Sequence, residues 1–295
     1  MDIRILQYFL TIAREESITK AAQALHMTQP PLSRQIKELE EELGKQLLIR
    51  GSKKVTLTED GMLLRRRAEE LVELLEKTKA EMKSSGQNIS GDIYIGSGET
   101  DAISFMAKAA EHLQENGHSI RYHIYSGDAY HVTQRLDHGL IDFGLLIEPV
   151  DIEKYDYMRL PLKDRWGVLM RKDSPLAAQE AICPEDLWDK PLILSHQVSS
   201  SSEMSSWLKM DFSKLNIVAN YDLIYNASHF VRKGLGYAIA LDKLVNTSGN
   251  SNLCFRPLTP ALEAGLCIVW KKYQVFSRVA EIFLQQLQEE LRVDF

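Results

Sequence analysis

Three apolar stripes at helical spacing occupy the first 43 residues and restrict this part of the chain to a small helical domain. Each stripe recurs at intervals of three or four residues, which places its members on one helix face. The stripes are Leu6, Phe9, Leu10 and Ala13; then Ile18, Ala21, Ala22 and Leu25; then Leu32, Ile36, Leu39 and Leu43. The segment "LLIRGSKKVTLT" that follows alternates like a pair of strands around the turn "RGSKK". Three short helices and a ribbon predict a winged helix-turn-helix.

The third helix begins with the unusual stretch "HMTQPPLSRQ". If Thr28 is the N-cap, the two prolines fall in the first turn, where backbone N–H groups have no partner within the helix. Gln29, Ser33 and Arg34 then project away from the apolar face. The start of the second helix of a helix-turn-helix enters the major groove, where Arg suits guanine and Gln suits adenine. Taken alone, an ordinary solvated helix start fits these residues equally well.

The charge distribution permits DNA binding without demonstrating it. The whole chain of 295 residues has a net charge of −6. Residues 1–58 contain nine Lys/Arg against seven Asp/Glu, whereas the rest contains 26 against 34. A slightly basic N-terminal module whose acids are grouped in "ELEEEL" can present one positive face.

Composition and the N-terminus predict a cytoplasmic protein. Hydrophobic residues make up 44% of the chain, but no apolar run approaches the roughly 18 residues that a membrane span needs. The first residues lack the features of an export signal. Three widely separated cysteines, Cys183, Cys254 and Cys267, indicate free thiols in a reducing compartment.

The stretch "SITKAAQALHMTQPPLSRQIKELEEELGKQLLIRGSKKVTLTEDG" closely resembles the N-terminal domain of LysR-type transcriptional regulators. The matching parts are the Ser-x-Thr-x-Ala-Ala run, the Thr-Gln-Pro-x-x-Ser-Arg-Gln-Ile run, the Leu-Glu-x-x-Leu-Gly run and the wing. Ile49, Lys54 and Asp60 depart from the usual Phe, Arg and Ala. The resemblance implies binding to double-stranded operator DNA with an interrupted dyad, and a possible contact with RNA polymerase. The implied DNA-binding residues are Ser17, Thr19, Thr28, Gln29, Pro30, Pro31, Ser33, Arg34, Lys37, Arg50, Lys53 and Lys54.

Residues 59 to about 84 are predicted to form one long helix capped by Thr58. Its apolar positions recur at alternating intervals of four and three, which is typical of a coiled-coil seam. The positions are Leu64, Ala68, Leu71, Leu75, Thr78 and Met82. A partner chain would cover such a seam, although packing against the chain's own next domain is an alternative. The helix resembles the family's dimerising linker, the family also forms tetramers, and "KSSGQNISG" after it predicts a flexible joint.

Strands and helices alternate from Gly91 onward, which predicts two small α/β lobes. The predicted strands are "GDIYIGSG", "IRYHIYSG", "DFGLLI", "WGVLMR", "PLILS", "IVANYDLI", "GYAIAL" and "GLCIVW", with helices at Asp101–Gln114, before Gly234 and at Phe276–Arg292. The pattern resembles the family's effector domain, which is akin to type 2 periplasmic solute-binding proteins. The predicted domains are a DNA-binding domain (1–58), a linker helix and hinge (59–90) and an effector domain (91–295). Within the last, lobe I is 91–161 and 266–295, and lobe II is 162–265, with crossings near Pro161 and Gly265.

Polar residues follow several of these strands. Ligands of open α/β sheets bind outside the carboxyl ends of the strands, near helix N-termini. From this rule and the resemblance, the candidate residues for a small-molecule effector are Ser97, Gly98, Glu99, Thr100, Ser126, Asp128, Glu148, Ser195, His196, Gln197, Val198 and Asn226. Helix capping alone explains many of them. The nearby acids Glu99, Asp128 and Glu148 would repel an anion, so an amino acid or a cationic group fits as well as a carboxylate, and no cofactor is implied.

Two other classes of protein fit the sequence less well. A hydrolase is disfavoured because the serines of "SSSSEMSS" lack a G-x-S-x-G elbow, and the eight histidines form no metal-binding motif. A plain solute-binding receptor would leave the DNA-binding module without a role. The sequence therefore predicts a regulator that is not an enzyme, with no catalytic residue and no metal site.

Overall fold

The computed structural model describes residues 1–51, 54–83, 90–199 and 201–293. The chain divides into two compact units, Met1–Ser85 and Gly86–Phe295. Lys53, most of the predicted flexible joint and Ser200 lie outside the described residues. The domain limits predicted from the sequence stay predictions.

The first unit is the predicted winged helix-turn-helix followed by a long helix. Its elements are α1 (Ile3–Glu15), α2 (Ile18–Ala24), α3 (Gln29–Leu43), β1 (Leu48–Arg50), β2 (Val55–Leu57) and α4 (Glu59–Lys83). The three apolar stripes meet in one core in which Phe9, Ile12, Leu32, Ile36 and Leu39 are fully buried. Strands β1 and β2 pair antiparallel, with Leu48 opposite Leu57.

Helix capping follows the sequence at two of three sites. Ser17 accepts a hydrogen bond from the backbone N–H of Lys20 at 3.3 Å, and Thr58 accepts one from Gly61 at 3.0 Å. Thr28 occupies the N-cap position of α3, but its side chain makes no capping hydrogen bond. An N-cap side chain accepts from the backbone N–H of the second or third helical residue. Both of these residues in α3, Pro30 and Pro31, are prolines without an N–H, so Thr28 has no donor to accept from.

The predicted seam of α4 needs a correction at its N-terminal end. Ala68 is fully buried and Leu64 packs against the core of the same unit, where α4 contacts α1. Further along the helix, the side chains of Leu71, Leu74 and Met82 are exposed. The uncovered apolar face of α4 is therefore shifted toward Leu74 and away from the first two residues of the predicted seam.

The second unit is a two-lobed α/β domain, as predicted. Its strands are β3 (Ser90–Ser97), β4 (Ser119–Ser126), β5 (Phe143–Ile147), β6 (Tyr155–Arg171), β7 (Leu192–Ser195), β8 (Ile217–Tyr221), β9 (Tyr237–Leu241), β10 (Leu253–Pro257) and β11 (Glu263–Lys271). Its α-helices are α5 (Ile103–Glu115), α6 (Ala129–Asp137), α7 (His196–Ser199), α8 (Ser202–Leu208), α9 (Ile224–Arg232) and α10 (Arg278–Val293). Short 3₁₀ turns lie at Pro175–Ala178, Pro184–Asp186 and Phe212–Lys214.

Strand β6 belongs to both lobes. The strands follow the order β4-β3-β5-β11-β6-β9-β7-β8, and β10 also pairs with β6. In lobe I, β3 runs parallel to β4 and β5, and β11 pairs with β5 and with β6 up to Arg165. In lobe II, the rest of β6 pairs with β9 and β10, and β7 runs parallel to β8 and β9. The chain thus crosses between lobes within β6 and again just before β11.

Several element limits differ from the sequence prediction. Strand β6 begins at Tyr155, well before the predicted "WGVLMR", and β10 was not predicted. Helix α5 begins at Ile103 rather than at Asp101. Helix α9 begins at Ile224, so Asn226 lies inside its first turn and does not open it. Within the part of the chain that the structure describes, no helix is both long and apolar enough to cross a membrane.

The junction between the wing and α4 generates a stability prediction. A Cβ atom added at Gly61 would lie 2.2 Å from the carbonyl oxygen of Leu47. Gly61→Ala should therefore lower the free energy of unfolding by about 1–3 kcal/mol, measured by urea denaturation. Without this contact, alanine would raise the free energy of unfolding by about 1 kcal/mol, because it forms helices better than glycine does. A decrease in the free energy of unfolding therefore indicates the close contact. Arg66→Ala, at an exposed position of the same helix, should change stability by less than about 0.5 kcal/mol. A Gly61→Ala variant more stable than the wild type would contradict the close contact.

Candidate functional site

The first turns of α3 form an exposed polar surface. Gln29, Pro30, Pro31 and Arg34 are exposed, whereas Ser33 is half-buried. The opposite face of the helix is held in the core by Leu32, Ile36 and Leu39 (all fully buried). A rigid helix start with its donors facing outward is the geometry that reads base edges in a major groove.

The basic side chains of α3 are paired only with acids of the same helix. Arg34 Nε lies 2.8 Å from Glu38 Oε1, and Lys37 Nζ lies 3.3 Å from Glu41 Oε1. The side chain of Arg34 is 80% exposed. Exposed pairs of this kind contribute about 0–1 kcal/mol, so little opposes the transfer of these cations to a phosphate or a guanine.

The wing is attached to the helices by backbone and carboxylate contacts. Glu40 Oε1 accepts hydrogen bonds from the N–H groups of Leu47 at 2.7 Å and Leu48 at 3.1 Å. Lys54 pairs with Glu16 at 3.3 Å, and Arg50 lies 4.0 Å from Glu40. Both wing cations are about half-exposed, on the ribbon that the sequence predicted to contact DNA. The exposed Thr19 and the capping Ser17 lie at the start of α2.

A pocket lies between the two lobes of the second unit, at the carboxyl ends of six strands. Lobe I contributes the residues after β3, β4 and β5, and lobe II those after β7, β8 and β9. The empty volume is about 490 Å³, including the part that opens to solvent. The lining residues are Gly98, Glu99, Gly127, Asp128, Ile147, Trp166, Ser195, His196, Gln197, Tyr221, Asp222, Ile224, Leu241 and Leu244. This is where ligands of open α/β sheets bind.

The structure brings half of the twelve predicted effector residues into this pocket. The six that line it are Gly98, Glu99, Asp128, Ser195, His196 and Gln197. Two of them also cap helices, since Asp128 accepts from His131 N at 2.9 Å and Ser195 accepts from Val198 N at 3.1 Å. Contact with an effector stays a prediction for all six.

Ser97 and Thr100 are turned into the protein. Both are 4% exposed. Ser97 Oγ donates to the carbonyl of Gly98 at 2.6 Å, and Thr100 Oγ1 donates to Asp164 Oδ2 at 2.5 Å. Burial raises the pKa of Asp164, and the bond from Thr100 opposes this in part. Because Asp164 lies where β6 passes between the lobes, Thr100 supports the crossing and is not on the pocket surface.

The other four predicted residues also lie off the pocket lining. Glu148 accepts from Arg159 Nε at 3.1 Å and packs beside Gly265. Val198 is buried in the lobe II core, and Ser126 is exposed at the end of β4. Asn226 is exposed and lines a separate depression on lobe II.

Two hydrogen bonds cross the pocket from one lobe to the other. The carboxylate of Glu99, on lobe I, accepts from the backbone N–H of Ile224, the first residue of α9 on lobe II. The side-chain amide of Gln197, on lobe II, donates to the carbonyl of Ile147 on lobe I at 3.2 Å. Burial raises the pKa of Glu99, and the bond from Ile224 lowers it only in part. The lobes are therefore joined by hydrogen bonds between residues of the pocket lining.

Sequence reasoning missed the apolar and aromatic lining. Trp166 begins the lobe II part of β6, Tyr221 ends β8, and Leu241 ends β9. Tyr221 donates to the carbonyl of Ile239 at 2.8 Å, and burial raises its pKa. The rule that selected polar residues after strands applies equally to Tyr221 and to Asp222 after it, so these two could have been found.

The cysteines are free, and two of the three are buried. Burial raises the pKa of Cys267 to about 12. Cys183 donates to Asp186 Oδ2 at 2.9 Å, and this bond raises its pKa as well. The thiolate, which is the reactive form, is disfavoured at both positions. Among the described residues, no group of three His, Cys, Asp or Glu side chains could hold a metal ion.

Two family models together match nearly the whole chain. The model of the bacterial regulatory helix-turn-helix protein, lysR family, matches residues 3–62, and that of the LysR substrate binding domain matches residues 86–292. The HTH-type transcriptional regulator BsdA of Bacillus subtilis (strain 168) is 32% identical over 219 residues, 74% of each chain. The uncharacterized HTH-type transcriptional regulator YvbU of the same organism is 28% identical over 299 residues, 98% of each chain.

Solved structures share the fold. Full-length CbnR complexed with its target DNA superposes with a TM-score of 0.76 at 17% identity, covering 98% of this chain and 100% of that one. Full-length BenM superposes with a TM-score of 0.52 at 26% identity, covering 100% of this chain and 96% of that one.

The exposed position of Arg34 on α3 generates a binding prediction. Arg34→Ala should weaken binding to a specific duplex by about 1–3 kcal/mol, because a bidentate contact to one base would be lost. Binding to a scrambled duplex should change much less. Competition fluorescence anisotropy measures both, with a specific duplex mapped by footprinting of the region upstream of the gene.

A matched control for Arg34 exists on α4. Arg65 forms the same type of pair with a glutamate four residues ahead, at 2.9 Å, and has no proposed DNA contact. Arg65→Ala should leave both affinities unchanged. An equal loss on specific and scrambled duplexes after Arg34→Ala would reduce Arg34 to a phosphate contact, and no loss on either would remove it from the interface.

Proposed function

This chain belongs to the LysR family of bacterial transcriptional regulators, and on that basis we propose how its DNA-binding and effector-binding parts work. It is a DNA-binding transcriptional regulator with a C-terminal effector domain, and the family membership confirms that it is not an enzyme. The proposal concerns what it binds and how the two parts communicate. A plain solute receptor is not favoured, because such a protein would have no use for a helix-turn-helix.

The DNA-binding step is proposed to place α3 in the major groove of a double-stranded operator with an interrupted dyad. The single observation that supports it most is the proline-started helix whose Arg34 is 80% exposed while the opposite face is buried. The wing cations Arg50 and Lys54 would neutralise backbone phosphates on either side. The shared fold with CbnR, which was solved with its target DNA, is consistent with this arrangement.

Assembly is proposed to proceed through α4. The exposed Leu71, Leu74 and Met82 form an apolar strip along a helix that is rich in charged residues. Pairing of two such strips would join two DNA-binding heads, and a dyad operator needs two heads. Two dimers could then join through their effector domains, as the family resemblance implies. A cytoplasmic location and a contact with RNA polymerase complete the proposal.

The effector is proposed to bind in the interlobe pocket and to alter the closure of the lobes. Six strands direct their carboxyl ends there, and the hydrogen bonds of Glu99 and Gln197 already span it. A ligand that replaces or strengthens these bonds would change the balance between open and closed lobes. It can do so only through its different affinity for the two arrangements, and a tenfold change corresponds to about 1.4 kcal/mol.

The apolar strip on α4 generates a prediction about mass. Leu71→Glu and Leu74→Glu should each lower the molar mass in solution, because a buried glutamate at a helix pair is unfavourable without a partner. Operator affinity should fall with the mass, since one head contacts only half of the dyad. Multi-angle light scattering and anisotropy measure the two effects. Arg66→Glu, which places the same charge on the other side of the helix, is the control. Unchanged mass and binding in both leucine variants would exclude this strip from the interface.

The floor of the interlobe pocket generates a prediction about the effector. Gly98 lines the pocket, and a Cβ added there would lie 3.1 Å from Ile147 Cδ1. Gly98→Leu should fill the pocket while leaving DNA binding without effector intact. Any metabolite that raises the melting temperature of the wild type and changes its DNA affinity should do neither with Gly98→Leu. Differential scanning fluorimetry with a metabolite panel provides the first readout.

The control for this variant is Ala107→Leu, which enlarges an exposed residue of α5 in the same lobe. It should respond to effector like the wild type. A metabolite that still stabilises Gly98→Leu and still changes its DNA affinity would place the effector site elsewhere.

A further inference from the structure

The charged groups that line the interlobe pocket are almost all acidic. Glu99, Asp128 and Asp222 line it, and among the described lining residues none is Lys or Arg. His196 Nε2 lies 3.6 Å from Asp222. A cavity whose walls carry carboxylates attracts cations and repels anions.

The N-terminus of α9, which contributes Ile224 to the pocket lining, already holds a carboxylate of the protein. The N-terminus of α9 has free backbone donors and the positive end of the helix dipole, and such sites bind carboxylates and phosphates. Ile224 N–H, the first donor of that helix, is bonded to Glu99 from the facing lobe. A ligand carboxylate would have to displace Glu99 and then lie beside its negative charge.

Within the part of the chain that the structure describes, no cation pairs with the carboxylate of Glu99. Burial raises its pKa, and the favourable contribution opposing this is the single backbone bond from Ile224. The cations near the crossings are engaged elsewhere, since Arg165 bonds to Asp242 at 3.2 Å and Lys243 to Asp101 at 3.2 Å. A half-buried carboxylate in this state gains most from a ligand that brings a positive charge.

The other two acids have different roles. Asp128 caps α6 and bonds to both the backbone N–H and the ring of His131, at 2.9 and 2.7 Å. Asp222 is 67% exposed beside His196. Glu99 is therefore the acid that a bound ligand would meet in the least hydrated part of the pocket.

The lining also includes large apolar side chains. Ile147, Trp166, Leu241 and Leu244 contribute hydrocarbon and one indole ring, next to polar lining residues such as Ser195 and Gln197. Such walls suit a short carbon skeleton, and an aromatic face adds a favourable interaction with a nearby cation.

We propose that Glu99 makes the effector site selective for a small organic cation, an amine or guanidine on a short apolar body, and selects against carboxylates. The inference rests on the proposed role of the interlobe pocket as the effector site. The site itself is argued from the six strand ends and the family model of a substrate-binding domain. The acidic lining decides only the charge of the ligand.

The test uses the full-length protein and matched probes of opposite charge. The cations are butylamine, benzylamine and butylguanidine, and the anions are butyrate and benzoate. Differential scanning fluorimetry and isothermal titration calorimetry should show that the wild type binds the cations at least tenfold more tightly than the anions. Glu99→Gln keeps the side-chain shape and an oxygen that can accept from Ile224, but removes the charge. It should weaken cation binding at least tenfold.

The matched control is Asp222→Asn, which removes a charge from the exposed rim of the same pocket and should change cation affinity less than threefold. Tighter binding of the carboxylates, binding of no probe, or equal binding of cations to the wild type and Glu99→Gln would each overturn the proposal. A loss in Asp222→Asn as large as in Glu99→Gln would overturn the assignment to Glu99.

A parallel measurement on Gly98→Leu separates this proposal from the proposed function. If the carboxylates bind the wild type and lose their affinity in Gly98→Leu, the pocket remains the effector site and only the inferred charge is wrong. If a probe binds Gly98→Leu as well as the wild type, the pocket assignment itself fails.

Discussion

The sharing of strand β6 between the lobes is the constraint on which the C-terminal unit depends. Leu160 pairs with Leu266 and Lys163 with Gly265, so Pro161 and its neighbour are left out of the ladder at the crossing. Proline has no N–H to donate, and an interruption of the ladder there is less costly than elsewhere. Immediately beyond it, Asp164 and Arg165 are fixed by Thr100 and Asp242. The interruption at Pro161 is thus a point at which β6 can bend, and it lies next to Asp164 and Arg165, which are held in place.

Helices α3 and α9 differ in how the backbone N–H groups of their first turns are satisfied. In α3 the prolines remove N–H groups from the first turn, so no side chain is needed there to satisfy them. In α9 the N–H of Ile224 is retained and satisfied by Glu99 of the other lobe. Since that bond joins the two lobes, the N-terminus of α9 depends on their separation. The arrangement in α3 suits a rigid binding surface. The arrangement in α9 suits a binding surface whose two sides can move apart.

The sequence predicted most of the local structure because local structure depends on nearby residues. The start of α3 at the prolines, the cap at Thr58 and the ends of the parallel strands follow from spacing and turn chemistry. The sequence could not show that Ala68 is buried, or that Thr100 turns inward to Asp164, since both depend on elements distant in the chain. The fold and the position of the pocket were predictable for this reason, whereas the direction of each side chain was not.

The polar contacts between the lobes are weak enough for a small molecule to change them. Contacts between the lobes include those of Glu99 with Ile224, Gln197 with Ile147, and Lys243 with Asp101. A hydrogen bond contributes about 0.5–1.5 kcal/mol net, and an exposed ion pair about 0–1 kcal/mol. Their sum is on the order of a few kcal/mol, so a ligand that exchanges one of these contacts can shift the balance of lobe closure about tenfold. Among the described residues Glu99 has no cationic partner, so a cationic ligand that exchanges this contact would also neutralise a half-buried charge.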